Sequence, residues 1–388
     1  MKTNKFLLGL LTAAALLVVG CAVDDTADVT INQGGGSNPT NPTNQVIGGT
    51  LTEDLTLVTG TEYNLTSGLI VPDGLTLTIE PGVVVKATTG SDVYVAIQQG
   101  GTIMAEGTSS NPIVFTSDSA TPNPGDWGGL IVLGRAPLNS VVGGDATSTS
   151  EIGGLPYGGS IADDDSGIIR YVRIEYSGGA ADAASENNGF SFYAVGSGTT
   201  IDFIQAFEGA DDGVEFFGGT VNASHISVVG AQDDSVDWTE GFTGTLTDVY
   251  IEHRQSHDKG IEGDGFNTDI GNNSNPVFWS APTINNLTIN GLGSSNGNEA
   301  IRLRAGTRAI FNNVFIEGFE EGYDLDDEET GNGFSAGDTS VTDITFDDIV
   351  LTLKNDTNVA FDADDFFSGI GNGTGADYNS WNSGWTRN

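Results

Sequence analysis

Cysteine, histidine and basic residues are scarce in this 388-residue chain. A single cysteine, Cys21, cannot form an intramolecular disulfide, so stability must come from buried apolar surface and hydrogen bonds. Three histidines and one cysteine are too few for the usual ligand sets of a transition-metal site. Only 13 lysines and arginines stand against 53 acidic residues, which gives a net charge of −40. Because phosphates need a basic surface, this charge argues against nucleic acid as a partner.

Helical patterns of 10–15 residues are also missing between the apolar segments. The chain instead has 56 glycines and short runs of Thr, Val and Ile, a composition typical of many short strands joined by tight turns. Hydrophobic residues make up 37% and aromatic residues 9%, enough for a substantial core despite the charge. The sequence therefore predicts an all-β protein.

The N-terminus has the order of an export signal. Lys2 and Lys5 precede an apolar run, residues 6–20, that is too short for a membrane anchor of about 20 residues. Leu17-Val18-Val19-Gly20-Cys21 resembles the lipobox of bacterial lipoproteins. The resemblance implies that residues 1–20 are a removed signal peptide and that Cys21 carries the acyl chains of a stable membrane anchor. The alternative is an ordinary cleaved signal with an incidental cysteine.

Residues 21–45 are predicted to form a flexible tether, because Gly, Pro, Asn and Thr dominate and apolar residues are almost absent. Asp24 and Asp25 follow Cys21 closely. This resembles the acidic export signal of Bacteroidota lipoproteins, which implies an outer-membrane location facing the cell exterior. A plain polar linker is the alternative.

A five-residue register recurs from residue 187 onwards. The apolar fourth member is spaced by 22 to 40 residues, and each register is followed by a glycine-containing turn and a β-branched strand. Units this short cannot bury their own apolar side and must stack on neighbours. We therefore expect an inward ladder made of Phe190, Val214, Val236, Ile261, Ile301 and Tyr323.

This repeat predicts a single right-handed parallel β-helix of about a dozen coils over residues 46–388, at ~4.8 Å per coil. The stretch GLTLTIEPGVVVKA, residues 74–87, resembles the opening of pectin-lyase-like β-helix surface lipoproteins of Bacteroidota. Trp381 and Trp385 are predicted to cap the last coil, where an open strand edge needs protection.

Stacking the registers also predicts a column of carboxylates, which has three interpretations. Clustered oxygen ligands suit calcium, the one cofactor that the sequence suggests. Asp and Asn can equally cap turns on a solvated surface, with Arg302 compensating charge between Glu262 and Asp324. The third interpretation is catalytic. The candidate metal ligands are Asp211, Asp212, Glu215, Asp233, Asp234, Asp237, Asp258 and Glu262.

The catalytic interpretation rests on the order Asp233, Asp234, His257, Arg302, which resembles polygalacturonase-type glycosidases. The resemblance implies paired carboxylates as acid and base, and a basic residue for a sugar carboxylate. The chain departs from that pattern, because Asp258 rather than glycine follows His257, and Arg304-Ala305 stands where Ile-Lys is expected. A calcium-dependent lyase would instead take its base from Arg254, Lys259 or Arg302.

The sequence as a whole favours a non-catalytic lipoprotein, a binding or structural module at the cell surface whose partners are glycans or neighbouring surface proteins. The alternative is an enzyme acting on acidic polysaccharide, either a hydrolase or a calcium-dependent lyase. These two functions differ in whether the four candidate catalytic residues converge at one place.

Overall fold

A computed structural model describes residues 45–139, 147–181, 186–255, 257–267 and 276–388. Cys21, the predicted signal peptide and almost all of the predicted tether lie outside these residues. No helix in the described part of the chain is long and apolar enough to cross a membrane.

The chain folds into a right-handed parallel β-helix with three strand-bearing faces, which confirms the predicted fold class. Face 3, which carries the candidate site, is built from seven short strands and from parts of longer ones. The short strands are β6 (Val95–Ile97), β9 (Leu130–Leu133), β13 (Phe190–Tyr193), β15 (Val214–Phe217), β17 (Val236–Thr239), β19 (Ile261–Asp264) and β21 (Glu299–Arg304).

Faces 1 and 2 consist of separate strands in the first coils and of single bent strands in later ones. Face 1 begins with β2 (Leu55–Leu57), β4 (Thr76–Ile79) and β7 (Thr102–Glu106), and face 2 contains β5 (Val84–Ala87) and β8 (Ile113–Ser117). The bent strands that cover both faces are β12 (Gly167–Glu175), β14 (Thr200–Phe207), β16 (Ala223–Val229), β18 (Thr245–Glu252) and β20 (Thr283–Asn290). The junction is visible where β12 pairs with both β7 and β8.

The strands that continue into face 3 from another face lie at the two ends of the solenoid. At the N-terminal end, β1 (Gln45–Thr50) and β3 (Glu62–Val71) cover faces 2 and 3. At the C-terminal end, β22 (Ile310–Asp326) and β23 (Ser340–Asp356) run through all three faces and pair along most of their length. The last strand on face 1 is β24 (Phe367–Ser368), which pairs with the start of β23.

The predicted inward ladder is confirmed residue by residue. Phe190 pairs with Val214, Val214 with Val236, Val236 with Ile261, Ile261 with Ile301, and Ile301 with Tyr323. All six side chains are fully buried in one continuous apolar core. Because side chains alternate along a strand, this fixes the next residue of each register on the outer surface of face 3.

A second apolar cluster, which the residue pattern did not predict, lies on the outer side of face 3. The hairpin of β10 (Thr147–Thr149) and β11 (Pro156–Gly158) brings Ile152 and Tyr157 onto outward residues of β9, β13 and β15, including Tyr193 and Phe217. Alternation assigns every second residue to solvent, but these strands are buried on both sides.

Two helices interrupt the final coils. The sequence of α1 (Glu328–Ala336) begins after Asp327, whose side chain accepts a hydrogen bond from the backbone N–H of Thr330, and ends at Gly337 in the left-handed conformation. The short α2 (Ala363–Phe366) delivers Phe366 and Phe367 onto Tyr323 at the C-terminal end of the core.

The two tryptophans predicted to cap the last coil do not lie there. Phe366 and Phe367 cover that end, whereas Trp381 and Trp385 lie along the side of the stack, beside His225 and Tyr171. The prediction was wrong because the residues from 369 onwards turn back along the solenoid instead of adding a further coil.

Candidate functional site

The residues after the inward ladder form one outward column on face 3. Each pairs with its counterpart in the next coil, as the register predicts. The column, here called the outer column, reads Ser191, Glu215, Asp237, Glu262, Arg302, Asp324 and Lys354.

The C-terminal half of the outer column is charge-compensated. Lys354 Nζ lies 2.8 Å from Asp324, and Arg302 lies 2.6 Å from Asp326. Arg304 pairs with both Glu262 and, at 2.6 Å, Asp264. Charge compensation is therefore present in this half of the column, but Arg302 pairs with Asp326 and not with Glu262 and Asp324, the register neighbours that the sequence suggested. Those two carboxylates pair with other basic residues.

Lys259 marks the boundary of this compensated half. Its ammonium group lies 2.6 Å from Asp258, 3.1 Å from Glu262 and 3.6 Å from Asp234, and the side chain is only 7% exposed. Two of the predicted metal ligands, Asp258 and Glu262, are thus partners of Lys259. Among the described residues, neither belongs to a group of carboxylates whose oxygens converge.

The other six predicted ligands do converge. They form three overlapping groups in which one oxygen from each residue lies within 4.8 Å of the others. These groups define the carboxylate cluster: Asp212, Glu215 and Asp237; Asp212, Asp233 and Asp234; and Glu186, Asp211 and Asp233. Glu186 was missed at the sequence level because it precedes the first five-residue register and lies in a loop rather than a strand.

The carboxylate cluster has almost no positive charge within it. Of its seven members, only Asp234 lies within 4.0 Å of a lysine or arginine in the described residues. Yet all 11 lysines and arginines of residues 45–388 form ion pairs with carboxylates elsewhere in the structure. The cluster therefore has Lys259 beside one of its members, and every other lysine and arginine of residues 45–388 is paired with carboxylates outside it.

Burial makes this concentration of charge unfavourable. Asp212 is 7% exposed and Glu215 9%, whereas Glu186 at the edge of the cluster is exposed. Burial, followed by the charges of neighbouring carboxylates, raises the pKa of Asp212, Glu215 and Asp237 well above the usual range, and that of Asp211 to about 8. A bound cation would remove the repulsion that causes part of these shifts.

Some cluster oxygens have structural roles. Asp212 Oδ1 accepts the backbone N–H of Asp234 at 2.8 Å, and Asp234 Oδ1 accepts that of Lys259 at 2.8 Å. These bonds link three successive coils and match the turn-forming interpretation for the two residues. Asn188 donates to Glu215 Oε2 at 2.5 Å. In contrast, Asp237 Oδ1 is shielded from solvent and has no hydrogen-bond partner among the described residues.

The four candidate catalytic residues occupy three successive coils. Asp233 and Asp234 precede β17, His257 precedes β19, and Arg302 lies in β21. The ring of His257 stacks on His253 at 4.3 Å, and Arg302 is held by Asp326. Among the described residues, no hydrogen bond or ion pair joins the two aspartates to His257 or Arg302, and all four positions lie in or just before strands of face 3.

An apolar wall borders the carboxylate cluster on its N-terminal side. Tyr193 stacks on Phe217 at 4.0 Å, Tyr157 packs on Tyr193, and the Tyr157 hydroxyl donates to Glu240 at 2.7 Å. All three aromatic rings are 2% exposed beneath the hairpin. They are therefore part of the support of the site and offer no free surface for stacking a sugar.

Comparison with known proteins gives one family. The family described as a pectate-lyase like beta helix domain matches residues 49–386, which is nearly the whole of the described chain. A search of the curated proteins gives no match.

Proposed function

Because the chain belongs to the pectate-lyase-like β-helix family, we propose that it is a surface lipoprotein whose solenoid binds glycans through divalent cations in the carboxylate cluster. The observation that carries the proposal is the convergence of Asp212, Glu215 and Asp237 without a lysine or arginine among them. Family membership supports a carbohydrate-related role, and the convergence of carboxylates supports the proposal that a divalent cation binds there.

Calcium fits the chemistry of the cluster best. It takes six to eight oxygen ligands in flexible geometry. The cluster offers convergent carboxylate oxygens, among them the buried Asp237 Oδ1, which has no hydrogen-bond partner among the described residues. Asp212, Glu215 and Asp237 would form the inner ligands. Asp211, Asp233 and Glu186 would form an outer set that reaches solvent through the exposed Glu186, whereas Asp211 is buried and Asp233 half-buried.

The open side is where a glycan would bind. Sugar hydroxyl or carboxylate oxygens can complete the coordination of a cation whose remaining ligands come from the protein. An acidic glycan has no other favourable route onto this surface, because the lysines and arginines are already paired and the net charge is strongly negative. Cation bridging therefore accounts for binding to either acidic or neutral sugars.

The lipid anchor and the location remain proposals from the sequence. Lipidation at Cys21 would hold the chain on the outer membrane, and the tether would let the solenoid stand away from it. An outward-facing position would place the carboxylate cluster where surface glycans and neighbouring surface proteins are available.

The alternative enzymatic function receives less support from the geometry. A lysine that acts as the base of a lyase must be in its neutral form before it can accept the substrate proton. Lys259 is instead paired with three carboxylates, which favour its charged form. Although burial lowers the pKa of Lys259, the charges of Asp234 and Glu262 raise it overall, so the ammonium keeps its proton. Arg254 and Arg302, the other candidates, are paired with Glu208 and Asp326.

Thermal unfolding of residues 45–388 in calcium and in sodium of equal ionic strength tests the cation site. A specific site stabilises the folded protein by about 2.7 kcal/mol at 100 times its Kd, whereas screening depends on ionic strength alone. We expect calcium to raise the Tm and sodium to have little effect. Asp212→Asn with Asp237→Asn should abolish the difference while retaining the Oδ1 acceptor at position 212.

The matched control is Asp118→Asn with Asp364→Asn, which removes the same charge from two exposed positions outside the cluster. It should respond to calcium as the parent does. A glycan array with and without calcium then tests ligand binding. Equal Tm shifts from both salts, or an unchanged response in the Asp212 and Asp237 variant, would refute the cation site, and calcium-independent glycan binding would refute the bridging role.

A further inference from the structure

The corner between faces 1 and 2 carries an unusual backbone column. In each strand that turns this corner from β12 onwards (β12, β14, β16, β18, β20, β22 and β23), one non-glycine residue at the corner adopts a positive φ of 49–60°, which bends the strand from one face to the other. Such a conformation is strained for most side chains and is best tolerated by Asn and Asp. This corner column comprises Tyr171, Phe203, His225, Asp248, Asn286, Asn313 and Asp343.

Neighbouring side chains of the corner column contact one another. The rings of Tyr171 and Phe203 stack at 4.2 Å, and Phe203 stacks on His225 at 3.9 Å. Further along, Asn286 donates to Asp248 at 2.9 Å and Asn313 donates to Asn286 at 2.8 Å. The column therefore changes from aromatic at its N-terminal end to polar at its C-terminal end.

Residues 369–388, here called the tail strap, lie along this column. At the polar end, Asn313 Oδ1 accepts the backbone N–H groups of Thr374 and Gly375, at 2.7 and 3.2 Å. Further along, the backbone N–H of Ala376 donates to Thr288 Oγ1 at 3.0 Å, and the ring of Tyr378 stacks on Tyr250 at 3.7 Å with an angle of 2° between the planes. The strap thus crosses from β23 to β18 while matching the polarity of the column beneath it.

The aromatic end of the column holds the end of the strap. Trp385 is fully buried, with its ring edge-on to Tyr171 and Phe203, and its carbonyl accepts from Arg173 at 2.5 Å. Arg387 exchanges two hydrogen bonds with Gln205, at 2.7 and 2.9 Å, and its guanidinium pairs with Glu175 at 2.8 Å. These contacts attach the strap firmly to β12 and β14.

A simple solenoid has no contacts that link coils so far apart along the stack. In a repeat protein each unit contacts only its neighbours, so distant coils can open independently. The tail strap instead contacts strands from β12 to β23, with Trp385 on Tyr171 at one end and the amide of Asn372 donating to Asp343 at the other. All of its contacts can form together only when those strands are stacked in register. Its docking energy is therefore shared by coils that do not touch one another.

We propose that the tail strap is a latch that makes the coils from β12 to β23 open and close as one unit. With the strap docked at both ends, opening any coil between them breaks contacts along its whole length. With the Trp385 end released, the coils next to β23 can open without disturbing β12 and β14. This inference does not depend on the proposed cation site, which lies on face 3.

Hydrogen exchange in the full chain tests the latch. Trp385→Ala should speed exchange at least tenfold in β20, β22 and β23, although no residue of these strands contacts Trp385 in the described contacts. Trp385→Phe, which keeps an aromatic ring, should preserve most of the protection. Thermal unfolding should change from one transition to two in the alanine variant only.

Tyr63→Ala is the control, because Tyr63 is a buried aromatic residue of β3, at the N-terminal end of the solenoid and outside the coils that the latch joins. It should weaken protection in the first coils and leave β20 to β23 unchanged. Arg387→Gln is a milder latch variant, with a smaller change in the same strands, should Trp385→Ala fail to fold. Faster exchange confined to β12 and β14 in both latch variants, or an equal effect of Tyr63→Ala on β20 to β23, would overturn the proposal.

Discussion

At the scale of single residues, burial decides whether a charge stabilises or threatens this protein. Lys259 and the carboxylate cluster lie within one short stretch of face 3, and Lys259, Asp212 and Glu215 are all buried. Lys259 has three carboxylate partners, whereas Asp212, Glu215 and Asp237 have one another. The same burial therefore gives a structural ion-pair network in one coil and a candidate ligand site in the preceding two.

Lys259→Gln should destabilise the protein by about 3–5 kcal/mol, because removal of the ammonium leaves Asp234 and Glu262 buried and unpaired. The comparison is Lys86→Gln, which removes an exposed pair with Glu62 and should cost less than about 1 kcal/mol. Urea unfolding at pH 7 measures both. Similar losses of unfolding free energy in the two variants would show that the ion pairs of Lys259 stabilise the protein no more than an exposed pair does.

The buried His253 predicts that the stability of the protein depends on pH, because a base, and not a carboxylate, is kept uncharged in the folded state. Its ring is 3% exposed, it stacks on His257 and meets the edge of Phe319, and Asp258 and Lys259 are the charged residues nearby. Burial, followed by the charge of His257, lowers the pKa of His253 to about 3. Since the unfolded value is about 6.5, only the unfolded chain gains this proton between those pH values.

His253 therefore makes the folded protein less stable as the pH falls from 6.5 towards 3, by up to about 1.4 kcal/mol per pH unit. His253→Phe should remove this contribution, so that the difference in unfolding free energy between parent and variant changes steadily over that range. Carboxylates titrate in the same window, but they are common to both proteins. A constant difference from pH 6.5 to pH 4 would contradict the account.

At the scale of elements, the repeated strands can be predicted from the sequence, whereas the elements that occur only once cannot. The five-residue register, with Val214 or Val236 as its fourth member, recurs with a β-branched or aromatic residue inward, so its pairing could be worked out without coordinates. The position of the outward carboxylates follows from the same alternation. Six of the eight predicted ligands converge for this reason, and Asp258 and Glu262 do not because Lys259 and Arg304 intervene.

The elements that were missed each depend on tertiary contacts. The hairpin β10–β11 turns outward apolar residues such as Phe217 into a second core, which alternation alone cannot anticipate. The helix α1 had a recognisable signal, an N-capping Asp327 and a terminal Gly337, but Gly331 and Gly333 within it favoured a loop. The tail strap has no repeat, and its tryptophans gave no indication of the coil they would contact.

Val236→Asp tests the register of β17. Val236 is fully buried between Val214 and Ile261, so an aspartate there places an unpaired charge in the core and should cost several kcal/mol. Thr247→Asp, on the outward side of β18, should change stability by less than about 1 kcal/mol. The measurement is the Tm by circular dichroism. Equal Tm values for the two variants would place the register one residue out.

At the scale of the whole molecule, the scarcity of basic residues shapes what the protein can bind. With every lysine and arginine of residues 45–388 in an ion pair, the surface offers carboxylates and few free cations. Partners must then be cationic, neutral or bridged by metal ions. The proposed calcium-dependent binding of glycans follows from this distribution as much as from any single residue.

The proposed anchor makes a prediction at this scale. Cys21→Ser should release the protein from the membrane fraction, because acyl chains on Cys21 would be its attachment. Cell fractionation followed by a high-salt wash measures the retained share. A serine variant that stays in the membrane through the wash would refute lipidation at Cys21 as the anchor.

The proposed function depends first on a divalent cation in the carboxylate cluster. A crystal structure of residues 45–388 grown with calcium tests it most directly, through the anomalous signal of the bound ion. The account predicts an anomalous peak 2.3–2.6 Å from carboxylate oxygens of Asp212, Glu215 and Asp237. Ordered carboxylates at these positions with no peak between them, at millimolar calcium, would contradict it.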